Sequence, residues 1–142
     1  VCWGENLYGQ LGNGGALPPP PQPGDPPPTP INSNVPVAVV GLTTVKHLAG
    51  GSDHTCAVRT DGSMRCWGRN DSGQQGDGTT TTRSTQAPVL SMSGATAAVG
   101  GGSHACGART DGTIACWGAN DSGQLGNGTT TSSVVRVEVS GL

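Results

Sequence analysis

An all-β repeat architecture of the propeller or solenoid kind is what this sequence predicts, and three observations carry it. The phrase Cys-Trp-Gly occurs three times, at Cys2-Trp3-Gly4, Cys66-Trp67-Gly68 and Cys116-Trp117-Gly118, each opening a Gly/Asn/Gln-rich phrase: WGENLYGQLGNG at 3–14, WGRNDSGQQGDG at 67–78 and WGANDSGQLGNG at 117–128. The last two copies are 50 residues apart, a period at which one supersecondary unit cannot bury its apolar face alone and must stack on a neighbour. An Asp-Gly pair, Asp61-Gly62 and Asp111-Gly112, stands between two short strand-like runs ahead of the second and third copies and marks a hairpin.

The first interval is longer than the second, and the excess is visible as residues 16–30, ALPPPPQPGDPPPTP, which hold most of the chain's 11 prolines. Such a segment favours polyproline II and lacks amide donors, so it is expected to leave the surface as a semi-rigid arm, with Thr29 as a place for a glycan. The units then run as a partial repeat over 1–42 carrying this insertion, a complete repeat over 43–92 and a complete repeat over 93–142, all parts of one domain.

Composition limits the core. Of 142 residues 25 are Gly, none is Phe and aromatics make up 3%. Trp3, Trp67 and Trp117 are therefore expected to be the buried anchors between units. Charged residues are 11% with a net charge of −2, which removes the electrostatic footprint of a nucleic-acid or anionic-membrane binder. No apolar run has the length of a membrane span, and no signal peptide is expected within the sequence from Val1.

Cysteine spacing points to the compartment. Cys56 and Cys66 each lie five positions from Asp61, and Cys106 and Cys116 repeat this around Asp111, so each pair falls face to face across its hairpin. Disulfides Cys56–Cys66 and Cys106–Cys116 are predicted, each contributing roughly 2 to 3 kcal/mol through the unfolded chain. They imply an oxidising compartment, extracellular, cell-surface or periplasmic. Cys2 would need a partner ten residues earlier and has none. The chain is thus expected to hold about two and a half units of something longer, or to be completed by a neighbouring chain.

The pattern Gly-Gly-x-x-His-x-Cys, then Asp-Gly, then Cys-Trp-Gly-x-Asn-x-x-Gly-Gln-x-Gly-x-Gly resembles the regulator of chromosome condensation repeat in its cysteine-bearing form, typical of secreted bacterial proteins. The resemblance implies a β-propeller of four-stranded blades, of which this chain would supply a part. It also implies protein partners, or further copies of the chain itself, bound through loops or open edges.

Other motifs are weaker. His54 with Cys56 and Cys66, and His104 with Cys106 and Cys116, offer ligand types suited to a metal, but disulfide formation competes for the sulfurs and a hydrogen-bonded structural His is the simpler reading. No metal or cofactor is expected. Residues 73–78 have the glycines of a phosphate-cradling loop without a following helix. Asn70, Asn120 and Asn127 each open an N-glycosylation pattern, the first two inside phrases that also suit Asx-type turns. Neither a Gly-x-Ser-x-Gly elbow nor a pair of carboxylates outside turn positions is present, so no catalysis is expected. The reading is a secreted, non-catalytic interaction or assembly module; the alternatives are a secreted enzyme inhibitor of the propeller type and a guanine-nucleotide exchange factor for a small GTPase.

Overall fold

The computed structural model describes residues 1–19, 22–26 and 31–141; Thr29 and the prolines at 20, 21, 27, 28 and 30 lie outside them. Ten strands form three antiparallel sheets: β1 (Cys2–Gly4) and β2 (Ser33–Val37); β3 (Val45–Gly50), β4 (His54–Arg59), β5 (Met64–Gly68) and β6 (Arg83–Pro88); β7 (Ala95–Gly100), β8 (His104–Arg109), β9 (Ile114–Gly118) and β10 (Ser133–Glu138). Within each four-stranded sheet the spatial order follows the chain, and no helix occurs among the described residues.

Local chemistry sets the hairpins. Ser63 N–H donates to Asp61 Oδ1 at 2.9 Å, Gly62 N–H to Arg59 O at 3.0 Å and Arg59 N–H to Ser63 O at 2.9 Å. The three-residue turn places Gly62 in the left-handed region at φ 77°, which a side chain would resist. The resulting register sets Cys56 opposite Cys66 and Cys106 opposite Cys116. The sulfurs are 2.07 and 2.14 Å apart, at disulfide distance.

The sheets stack as blades of a partial propeller, with β7 packed on both β3 and β4 of the sheet before it. Between them lies a core of small and sulfur-bearing residues that includes Cys56, Val58, Cys66, Met64, Met92, Ala98 and Trp117. The two methionines take the volume that Phe would fill elsewhere, and Gly107 makes their room, since a Cβ there would overlap Met92 Cε.

Trp67 and Trp117 are fully buried, each covered by the unit before it in sequence, whereas Trp3 is 66% exposed among the described residues. The insertion also differs from a freely projecting arm at its root: Leu17 packs close to Gly9 and Ser84, while 22–26 are exposed and closed by a turn from Gln22 to Asp25.

Removing a buried indole leaves a large cavity, so Trp67→Ala and Trp117→Ala should each cost about 3 to 5 kcal/mol in denaturant unfolding, and Trp3→Ala under about 1 kcal/mol. Equal losses at all three positions would contradict the burial pattern.

Candidate interaction surface at the open blade

The seam between units is built from one contact used twice. Trp67 Nε1–H donates to Gln10 O at 2.8 Å, and Trp117 Nε1–H donates to Gln74 O at 2.9 Å. Each indole ring lies on a glycine of the preceding unit: a Cβ at Gly76, φ 67°, would stand 2.9 Å from Trp117 Cδ1, and Gly12 is equally close to Trp67. The repeated Gly-Gln-x-Gly phrase is thus the receptor for the next unit's tryptophan.

That receptor is shaped by the asparagine three residues after each Trp. Asn70 Oδ1 accepts from Gln75 N–H at 2.8 Å, while its Nδ2 is held among Asp77 Oδ1, Thr79 O, Thr79 Oγ1 and Thr81 O at 3.0–3.3 Å. Asn120 repeats the arrangement with Leu125 N–H, Asn127 Oδ1, Thr129 O, Thr129 Oγ1 and Thr131 O. Both amides are wholly buried, and in the folded chain neither nitrogen is free. Asn127 is only half-buried, and its Nδ2 makes no hydrogen bond among the described residues. The Asx turns sit at Asp77 and Asn127, whose Oδ1 atoms accept from Thr79 and Thr129 N–H, and not at Asn70 and Asp71. Burial pushes the Asp77 carboxyl up, and bonds from Thr79, Arg83 and Asn70 outweigh it, leaving the group below its ordinary value.

His54 is 2% exposed with neither ring nitrogen bonded, stacked so closely on Gly51 that a Cβ there would overlap the ring; His104 stands on Gly101 in the same way. Burial, and then the neighbouring His104, push the His54 imidazole from 6.5 down to about 4, with Asp53 pulling the other way. With the cysteine sulfurs engaged in pairs, no three His, Cys, Asp or Glu side chains converge as a metal site among the described residues.

Part of the accessible chemistry is at the first unit. There β1 pairs with β2 alone among the described residues. Beside β1 opens a cleft of about 250 Å³ lined by Cys2, Trp3, Gln10, Leu11, Leu48 and Thr55 among others. Cys2 is half-buried and unpaired among the described residues, and burial pushes its thiol up. Further along this seam Arg69 reaches Asp53 at 3.3 Å and Asp71 at 2.6 Å while lying 4.9 Å over the Tyr8 ring. Sequence reasoning missed this cluster, the Gln10 and Gln74 carbonyls and Leu48. The only signal for them was the fixed Trp-to-Gln spacing, which does not say which unit receives which.

The profile of the regulator of chromosome condensation (RCC1) repeat matches residues 2–58 and 111–141, and a second profile of the same repeat matches 45–74 and 96–124. The chain belongs to the RCC1 repeat family. Human E3 ubiquitin-protein ligase HERC2 is 34% identical over 94 residues, 65% of this chain and 2% of that protein, and mouse HERC2 matches to the same extent. Among solved structures, Prp20p from Saccharomyces cerevisiae, described with its binding to Gsp1p and histones, superposes with TM-score 0.79 at 17% identity over 98% of this chain and 33% of that one. Human WBSCR16 gives TM-score 0.73 at 20% identity over 94% and 33%. The RCC1 repeats here thus span about a third of each solved propeller and a fiftieth of HERC2.

Two predictions concern the seam. A His54 that stays neutral in the folded chain binds its proton only when unfolded, so stability should fall by roughly 3 kcal/mol as pH drops from 6.5 to about 4. In a melting series the His54→Gln chain should lack that slope and keep only the carboxylate losses at lower pH; a wild-type curve flat over the window would contradict the neutral, buried state. Asn120→Asp sets a carboxylate among four oxygens and should cost about 3 kcal/mol or more, exceeding a control Asn13→Asp at the half-buried, turn-forming Asn13 in the same denaturation assay.

Proposed function

We propose that this chain is a non-catalytic protein-interaction module of the secreted, cysteine-bearing type, which assembles with protein partners through its open blade faces. The observation that carries the reading is the set of apolar side chains left exposed on the strands, Leu48 on β3, Val99 on β7 and Val135 on β10, at 48%, 64% and 40%. Unpaired edges and exposed apolar side chains template association. The two disulfide-distance pairs favour an oxidising location, extracellular, cell-surface or periplasmic. Protein binding is consistent with Prp20p, which binds Gsp1p and has been solved bound to Kap60.

Likeness to Prp20p favours a second reading, exchange of guanine nucleotide on a small GTPase, while disulfides argue against the reducing compartment in which such GTPases work. The inhibitor reading has no residue of its own here.

Two measurements test the proposal. Alkylation of the protein from its source, denatured without reductant, should leave Cys56, Cys66, Cys106 and Cys116 unlabelled, and labelling of all four would overturn the secreted assignment. Light scattering on the isolated chain should show association beyond its 14.1 kDa mass, and a cooperatively melting monomer would overturn the assembly role.

A further inference from the structure

The joint between the two complete blades encloses a polar group that the repeat does not require. Gln75 follows the carbonyl that receives Trp117 and is wholly buried, at a place where the other two units carry Leu11 and Leu125, both buried as well. Leu therefore fits there. By being polar Gln75 gains one bond, from Nε2 to Gly68 O at 2.6 Å, and because that carbonyl can only accept, the bond fixes Oε1 as the end of the amide that points elsewhere. This Oε1 is enclosed without a partner among the described residues, and so are both nitrogens of His54. The orphaned atoms border one backbone pair: His54 stands opposite Gly68 in the β4–β5 ladder, so close that a Cβ at Gly68 would lie 2.7 Å from His54 Cα. The His54 ring turns Cε1 and Nδ1 toward Gly51, where a Cβ would stand 2.1 and 2.4 Å from them. Nε2 is thus the nitrogen not pressed on that glycine.

We infer that this joint binds one enclosed water molecule, which bridges Gln75 Oε1 and His54 Nε2. Counting donors and acceptors selects the ligand. Oε1 needs a donor, Nε2 of a neutral imidazole is either a donor or an acceptor, and a water molecule answers both at once without adding charge. A metal cation would bring an uncompensated charge into the core beside a ring that burial keeps neutral, and no three ligating side chains converge among the described residues. Water is what remains. Two buried groups that would each weaken folding if left unpaired become two hydrogen bonds, which accounts for a Gln where Leu fits. Gln75 is then a positioning residue for the His54 ring, and the joint is hydrated at one point beside a core of Cys, Val, Met, Ala and Trp side chains. The inference goes beyond the interaction reading and does not depend on it.

The test uses the whole chain with both disulfides intact, and its probe is water itself. Magnetic relaxation dispersion of the water oxygen counts molecules held for longer than the protein takes to tumble, and Gln75→Leu should hold one fewer than the wild type at neutral pH. An unchanged count would overturn the bridge. Denaturant unfolding supplies an independent measure: Gln75→Leu, although it installs the residue of the other two units, should raise the unfolding equilibrium constant about tenfold. Loss of the bond to Gly68 O contributes to that figure, so the decisive comparison is the same substitution made in a His54→Leu chain. There the water has lost its second partner, and the effect of Gln75→Leu should be at least about fivefold smaller. Equal effects in the two backgrounds would show that Gln75 and His54 act separately and would overturn the proposal, as would a Gln75→Leu chain no less stable than the wild type. Should His54→Leu not fold, the water count in Gln75→Leu decides alone. Whether the chain is monomeric or associated in light scattering does not enter either comparison.

Discussion

Stacking in this protein depends on an indole N–H that leaves its own sheet to bond a backbone carbonyl of the unit before it. The Trp67 and Trp117 bonds span 57 and 43 residues of chain, so they join units and do nothing for the hairpins that carry them. They demand a carbonyl turned inward and a ring-sized gap above it, and the Gly-Gln-x-Gly phrase supplies both. The buried Asn fixes that phrase by accepting from a backbone N–H with its Oδ1 while its two Nδ2 hydrogens are held among four oxygens. Because every partner of the Asn side chain lies in its own unit, each unit prepares its receptor before the next one docks.

Such a design explains how a chain with no Phe and 25 glycines packs at all. Backbones approach closely where side chains are missing, as at Gly51 and Gly101 under the two histidines. The volume that remains is filled by sulfur: two methionines and a disulfide in the core between the blades. Cross-strand disulfides hold hairpins that have too few large side chains to hold themselves. The cost of close approach is a His54 ring enclosed without hydrogen-bond partners, tolerable only while it stays neutral.

What could be read from the sequence was local or periodic. Hairpins follow from Asp61-Gly62 and Asp111-Gly112, cysteine register from equal spacing about those turns, and the unit from the recurring Trp. What escaped depends on the neighbour. Trp3 has the same flanking residues as Trp67 and Trp117, yet among the described residues only those two rings are buried, because a neighbouring unit confers the burial. Asn70 and Asn120 carry a glycan signature in one dimension and are wholly enclosed in three. Leu48 and Ala98 occupy equivalent positions with opposite exposure, and nothing in either residue type indicates that difference. The candidate surface was thus legible only as an unpaired Cys2; its second wall came from β3.

Cohesion between units rests on one contact, made at Trp67 and again at Trp117. Hydrogen exchange of the three indole N–H groups, followed by NMR in the native state, measures it directly. Two resonances, from Trp67 and Trp117, should exchange only on global unfolding, and the third, from Trp3, should exchange at close to the rate of a free indole. Three equally protected indoles, or rapid exchange at Trp67 or Trp117, would contradict the account.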